Sequence, residues 1–432
     1  MKKLLLLLCI VGGLMASSLP KFYEKTLDNG LKVVAIPMNR GSDVISVDIF
    51  YKVGSRNEVM GKSGIAHMLE HLNFKSTKNL KAGEFDEIVK SFGGVDNAST
   101  GFDYTHYFIK AASRNLDKSL WLFAELMENL KLDDKEFQTE REVVAEERRW
   151  RTDNNPTGYL YFRLFNNAYI YHPYHWTPIG FMQDILHWTI DDIRKFHKTY
   201  YQPKNAILIV AGDIDKDKVF NEAQKHFAHI KNCCDIPKVH QVEPPQDGAK
   251  RVNINRDTQV EMVAIAFHIP NFQDPDQVAL SAVSELLSSG KSSWLYKELV
   301  DKKKMVNQIY AYNMDNKDPG IFLFLAVCNP GIKAEDVEKE IWKQIENLKE
   351  GKIKRSELDK IKINTKADFI FGLENSSNVA SLFGDYFAKG DINPLLHYEE
   401  NIDKLTIKDL QRVAKKYFVQ KNSTTVILRK GE

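Results

Sequence analysis

Residues 189–210 read TIDDIRKFHKTYYQPKNAILIV, and residues 406–428 read TIKDLQRVAKKYFVQKNSTTVIL. The two stretches align without a gap. Thr189, Ile190 and Asp192 match Thr406, Ile407 and Asp409; Lys198, Tyr200 and Asn205 match Lys415, Tyr417 and Asn422. In each, a threonine that can cap a helix precedes a helical run, and a β-branched strand follows. Each copy closes a segment of roughly 210 residues, so the chain reads as a duplicated domain, and its 432 residues exceed one ordinary core.

Residues 233–250 hold Pro237, Pro244, Pro245 and Gly248 and lack an apolar period, which marks a break between halves. The expected division is a leader at 1–18, a first domain at 19–235, a linker at 236–250 and a second domain at 251–432. In the first half, Asp28-Asn29-Gly30 reads as a tight hairpin turn. Ile45, Val47, Ile49 and Tyr51 alternate as in a half-buried strand. Helical runs are expected at 64–74, 82–92, 116–130 and 134–151, with a return to strand near 100–111. The second half repeats the mixture: strand at 250–269, helices at 274–287 and 293–302, strand at 321–328, and helices from Ala334 onward. Grouped strands followed by grouped helices indicate an α+β fold in each half.

Composition excludes several classes. Hydrophobic residues make up 43% and charged residues 27%, which is globular. The formal charge of +2 equals the contribution of Lys2 and Lys3, so the remainder is balanced and carries no electrostatic footprint for nucleic acid. The short run Lys302-Lys303-Lys304 reads as a solvated helix end. Lys2, Lys3, the apolar run 4–16 and the small residues Ala16-Ser17-Ser18 read as a secretory leader. That run is shorter than the ~20 residues a membrane span needs, so stable membrane insertion is not expected. The expected location is the bacterial periplasm or the exterior. Cys9 falls inside the leader, and Cys233, Cys234 and Cys328 make no disulfide framework.

The chemistry is concentrated in GIAHMLEHLNFKST, residues 64–77. On a helix, His67 and His71 share one face and can grip a single zinc ion. Glu70 lies on nearly the same face, where it can take a proton from a water activated by the metal. This is the zincin order written backwards. A third protein ligand is required. The candidates lie on KEFQTEREVVAEERRWR, residues 135–151, where Glu140 and Glu147 stand two turns apart and point the same way. His172, His175 and His106 read as structural.

Together the two segments resemble the pitrilysin and insulinase family, in particular its shorter members related to mitochondrial processing peptidase. The resemblance extends to Leu27–Val34, Gly93–Tyr107 and His172–Gly180. It implies two duplicated domains, each a mostly antiparallel sheet with helices packed on it, facing each other across a chamber. It also implies Zn2+ (one per chain) on His67, His71 and Glu147, with Glu146 as fallback, and catalytic roles for Glu70 and Glu140. The implied reaction is endopeptidase cleavage of extended peptides. A peptide would pair with an edge strand near residues 97–103, touching Asn97, Ala98 and Thr100. The family's arginine and tyrosine from the second half align with Val300 and Asn307, so both are lost; Lys303 and Tyr310 would replace them only with a three-residue slip. The expectation is therefore a heterodimer with a related chain that supplies the missing pair, or a homodimer that works without it. The competing expectations are a non-catalytic scaffold or a peptide-binding member of the same fold.

Overall fold

The computed structural model describes residues 18–38 and 41–431, so the leader expectation and Cys9 lie outside the described residues. The first half runs β1 (Tyr23–Thr26), β2 (Lys32–Pro37), β3 (Val44–Tyr51), α1 (Ile65–Asn73), α2 (Glu84–Ser91), β4 (Val95–Thr100), β5 (Thr105–Ala112), α3 (Leu116–Asn129), α4 (Asp134–Arg148), α5 (Pro156–Ala168), α6 (Met182–His187), α7 (Ile190–Tyr200), β6 (Ala206–Gly212) and α8 (Lys216–Phe227). The second runs β7 (Lys250–Arg256), β8 (Met262–His268), α9 (Asp276–Ser288), β9 (Val306–Asn313), β10 (Ile321–Cys328), α10 (Ala334–Lys349), α11 (Arg355–Gly372), α12 (Ser376–Lys389), α13 (Asn393–Leu396), α14 (Tyr398–Lys404), α15 (Ile407–Tyr417) and β11 (Ser423–Lys430). Residues 228–249 between them carry neither helix nor strand.

The repeat maps onto the closing α7–β6 and α15–β11 units. Thr189 and Asp192 form a capping box at the start of α7, and Thr406 and Asp409 form the same box on α15. The sheet orders match too. The first is β1-β2-β6-β3-β5-β4 and the second is β7-β11-β8-β10-β9. Each contains one parallel pair, β2 with β6 and β7 with β11, and is otherwise antiparallel. The closing strand of each half therefore sits inside its sheet, where both faces are covered. That is why it reads as a continuous apolar run rather than an alternation.

Three local expectations are corrected. The single strand expected over 250–269 is two strands, β7 and β8, on opposite sides of β11, so the chain must turn back at 257–261. The strand near 100–111 begins at Thr105, because Gly101–Tyr104 forms the turn of the β4–β5 hairpin. The helix expected to 151 is α-helical through Arg148, then widens into a π turn over Arg149–Asp153.

Each sheet packs its own helices on one face and a helix from the other half on the opposite face. Leu160, Leu164 and Phe165 of α5 are buried against Ala264, Leu323, Val426 and Leu428 of the second sheet. Conversely, Val379, Ala380 and Phe383 of α12 are buried against Val34, Phe50, Ile207 and Ile209 of the first. Each such leucine or phenylalanine contributes about 1.5–3 kcal/mol on burial. The approach of α12 is closest at Gly384, where a Cβ would lie 2.1 Å from the Phe50 ring. This exchange leaves α5 packed against the π turn that follows α4.

Candidate metal centre

Helix α1 begins at Gly64, whose φ of 82° is left-handed and whose missing Cβ lets Ile179 O approach within 2.5 Å of that position. No side chain at the cap position serves the helix start. Glu58 does so from outside: its carboxylate accepts Gly64 N and Ala66 N, each at 2.8 Å, and Trp176 Nε1 at 2.8 Å. Burial pushes the Glu58 carboxyl up to about 8, against the pull of those three N–H donors. Met68, Leu69 and Leu72 sink into the first core. That orientation leaves His67, Glu70 and His71 on the opposite, half-buried face.

Helix α4 brings Glu147 to this face. His71 Nε2 lies 3.3 Å and His67 Nε2 3.6 Å from Glu147 Oε2. One ligand atom from each of His67, His71 and Glu147 falls within 4.8 Å of the others. Two imidazole nitrogens and one carboxylate oxygen on one side of a cavity make the donor set of a catalytic zinc site with an open position, so the residues present fit zinc. Glu140 accepts the other ring nitrogen of His71, Nδ1, at 2.9 Å and is held by Lys75 Nζ at 2.7 Å. This is how an outer carboxylate fixes the tautomer of a ligating histidine. Glu146 points away, exposed and paired with Arg149.

The electrostatics favour a cation. Burial disfavours the charged His71 ring, but Glu140 and Glu147 outweigh it and raise its pKa to about 9. Burial, with the neighbouring His71 charge, lowers His67 to about 4. Burial also opposes ionisation of Glu140 and Glu147, yet His71 with Lys75 on Glu140, and His71 with His67 and Arg151 on Glu147, together outweigh it and hold both below their ordinary range. Glu70 goes the other way: burial raises it, partly offset by Thr100 Oγ1, which donates to Glu70 Oε2 at 2.5 Å.

His67, Glu70, His71 and Glu147 line a cavity of about 780 Å³ whose rim includes Asn97, Ala98 and Thr100 of β4. Strand β4 pairs only with β5 and ends its sheet, so its outer edge has no strand neighbour among the described residues. The cavity also receives Arg151 from the π turn and Tyr161 from α5, neither of which the sequence singled out. Arg151 Nε lies 2.8 Å from Glu147 Oε1. The unusual turn that presents it has no simple sequence signal, although it falls on the RRWRTD run.

The remaining histidines have structural partners. His106 Nε2 meets Asp48 Oδ1 at 2.7 Å, His172 Nε2 meets Asp318 Oδ2 at 2.9 Å, and His175 Nδ1 meets Tyr169 O at 2.6 Å. A second convergent group, Asp117, Glu222 and His226, is bridged by Lys225 Nζ and joins α3 to α8 as an ion-pair network. Cys233, Cys234 and Cys328 are free thiols.

The profile described as Insulinase (Peptidase family M16) matches residues 33–175, and that described as Peptidase M16 inactive domain matches residues 187–365. A zinc protease of Helicobacter pylori, PqqE, is 58% identical over 416 residues, 96% of this chain and 94% of that protein. This chain belongs to the insulinase family of zinc proteases, peptidase family M16. A probable mitochondrial-processing peptidase subunit beta of Arabidopsis thaliana is 25% identical across 94% of this chain and 78% of its own length. A crystal structure of a Helicobacter pylori protease shares the fold with a TM-score of 0.94 and 59% identity, covering 95% of this chain and all of that one.

The arginine and tyrosine that the resemblance implies find no counterpart at the aligned positions. Val300 packs on the second core and Asn307 is exposed on β9. Lys303 is held by Glu340 and Glu298, and Tyr310 is exposed. No helix among the described residues is long and apolar enough to cross a membrane.

Proposed function

We propose that this chain is a zinc endopeptidase acting on extended peptides, and that it is the metal-bearing member of a two-chain enzyme. The observation that carries the reading is the convergence of His67, His71 and Glu147, with Glu70 beside them, in a cavity bordered by the free edge of β4. His67, His71 and Glu147 would hold one zinc ion, which supplies Lewis acidity to polarise the scissile carbonyl and acidify water. The free edge of β4 offers backbone pairing to an extended peptide, which gives affinity without fixing side chains. Glu70, poised upward by burial and oriented by Thr100, takes the proton of the attacking water as its oxygen bonds the carbonyl carbon. The same proton passes to the amine nitrogen as the C–N bond breaks. Glu140 keeps the His71 ring in place. The leader-like opening supports action outside the cytoplasm.

The two-chain part rests on Val300 and Asn307, which offer neither cation nor phenol where the family resemblance places them. Its test is cleavage of a quenched fluorescent peptide blocked at both ends, by the purified chain alone and after addition of co-purifying related chains. Chelator-sensitive cleavage that appears only with a second chain is the expected result. Full activity in a monomer or self-dimer would overturn the two-chain reading. Cleavage confined to peptides with a free terminus would overturn the endopeptidase reading.

A further inference from the structure

The duplication places a second cavity where the first half has its metal centre. In the first half, α1 presents His67, Glu70 and His71, and α4 presents Glu147, the fourteenth residue of its helix. In the second, α9 presents Ser281, Ser284 and Glu285 at the same spacing, and α11 presents Asp368, also the fourteenth residue of its helix. The other walls correspond as well: β9 stands for β4 and α12 for α5. The cavity holds about 380 Å³.

Its chemistry is not that of a metal site. It has no imidazole, and its carboxylates do not converge as His67, His71 and Glu147 do. Instead, Glu285 and Asp368 have no cation partner among the described residues, and the aromatic rings of Tyr312, Tyr386 and Tyr398 stand around them. Asn313, only 8% exposed, donates its amide nitrogen to Gln277 Oε1 at 2.9 Å and Ser281 Oγ at 3.0 Å, while its Oδ1 accepts nothing from the described residues. Thr365 Oγ1, on the opposite wall, is also buried without a partner. A buried acceptor without a donor is costly, and a ligand N–H that reached it would remove that cost. The fold already places one ammonium at this corner. Lys389 Nζ lies 2.9 Å from Asp385, 3.7 Å from Asp315 and 5.9 Å from the Tyr386 ring centroid. That lysine answers Asp315 and Asp385 but leaves Glu285 and Asp368 unanswered.

We propose that this second cavity is a non-catalytic binding site for the cationic side chain of a lysine or arginine on a peptide. Glu285 and Asp368 supply charge-assisted acceptors, Asn313 Oδ1 supplies a buried one, and the tyrosine faces supply cation–π contact. The assignment of the cation to a peptide rests on the peptidase reading; the site's preference for an organic cation does not.

The test is binding to the full chain after chelator treatment, so that turnover plays no part. A labelled, end-blocked hexapeptide with one lysine is compared by fluorescence anisotropy with the same peptide carrying norleucine. The lysine peptide should bind at least tenfold more tightly, and free n-butylamine should displace it where n-butanol does not. Glu285→Gln with Asp368→Asn should remove most of this preference, whereas His67→Ala with Glu70→Gln should leave it intact. Asp368 is exposed, so Asp368→Asn alone serves as a variant that does not threaten folding and should weaken binding severalfold. Equal binding of the norleucine peptide, or preference lost only with the first-half variants, would overturn the proposal. Lysine-selective binding in a protein that never cleaves peptides would uphold the site and overturn the peptidase reading instead.

Discussion

The two cavities of this molecule share a frame and differ in what stands on it. Three residues within one turn of a helix, one residue from a second helix, an edge strand and the half's own exchanged helix recur in both. In the first half those positions hold nitrogen donors, a half-buried glutamate and a carboxylate; in the second they hold two hydroxyls and two carboxylates. Zinc favours imidazole and excludes a site of scattered oxygens, so the frame alone does not bring metal chemistry. The comparison separates what the fold supplies, which is placement, from what a few side chains supply, which is reactivity.

Paired changes in the two halves test this separation most strongly. Glu70→Gln should lower kcat on a quenched peptide by about 10²–10⁴-fold while zinc content by atomic absorption stays unchanged. Its positional counterpart, Ser284→Ala, should leave kcat within twofold. A Glu70→Gln enzyme with full turnover would remove the proposed base. Next in size is the outer carboxylate. Glu140→Gln keeps the shape but loses the charge beside His71 Nδ1, and should weaken zinc binding by about 10–100-fold in competition with a chromophoric chelator.

Much of this was legible in the sequence, and the reasons are specific. The duplication was readable because the α7–β6 and α15–β11 units keep their capping boxes and buried strands, which are local signals. His67, Glu70 and His71 were readable because they lie within one helical turn; the acid-rich helix offered Glu140 and Glu147 on one face, and only the family resemblance singled out Glu147 as the ligand. Glu58 was not, because its role is to cap α1 from a preceding loop, a contact that depends on tertiary approach. Arg151 and Tyr161 were hidden for the same reason: a π turn and an exchanged helix bring them to the cavity. The exchange of α5 and α12 leaves no sequence signature, since their apolar faces show that they are buried but not against which sheet.

That exchange gives a third test. Gly384→Ala places a methyl group against Phe50, which is buried and stacked on His106 with ring centroids 4.0 Å apart. The change should cost about 1–3 kcal/mol in urea unfolding, because α12 or the ring must shift. Its effect should fall on the first half's sheet although the mutated residue belongs to the second half. Hydrogen exchange that accelerates in β3 and β6 before β8 and β10 would show this; acceleration confined to the second sheet would refute the coupling.

The smallest expected effect distinguishes the halves by pH. In the second half, Asp276 is buried at the start of α9 and accepts from Arg412, Lys416 and Tyr417 of α15. Burial resists its charge, but these donors prevail and lower its pKa to about 2. A depressed carboxylate stabilises the fold above its ordinary value of 3.8, and that contribution is lost as pH falls toward 2. Since Arg412 and Lys416 are half exposed, solvent screening leaves about 1 kcal/mol. Glu58 in the first half has the opposite sign. Its carboxyl is raised, so its contribution is present below 4.5 and is lost as pH rises through about 8. Asp276→Asn should therefore flatten the acid limb of the stability profile and leave the alkaline limb alone, while Glu58→Gln should do the reverse. Urea midpoints measured between pH 3 and 9 would decide it. A variant that shifts every midpoint equally would mean that the residue acts through packing rather than charge.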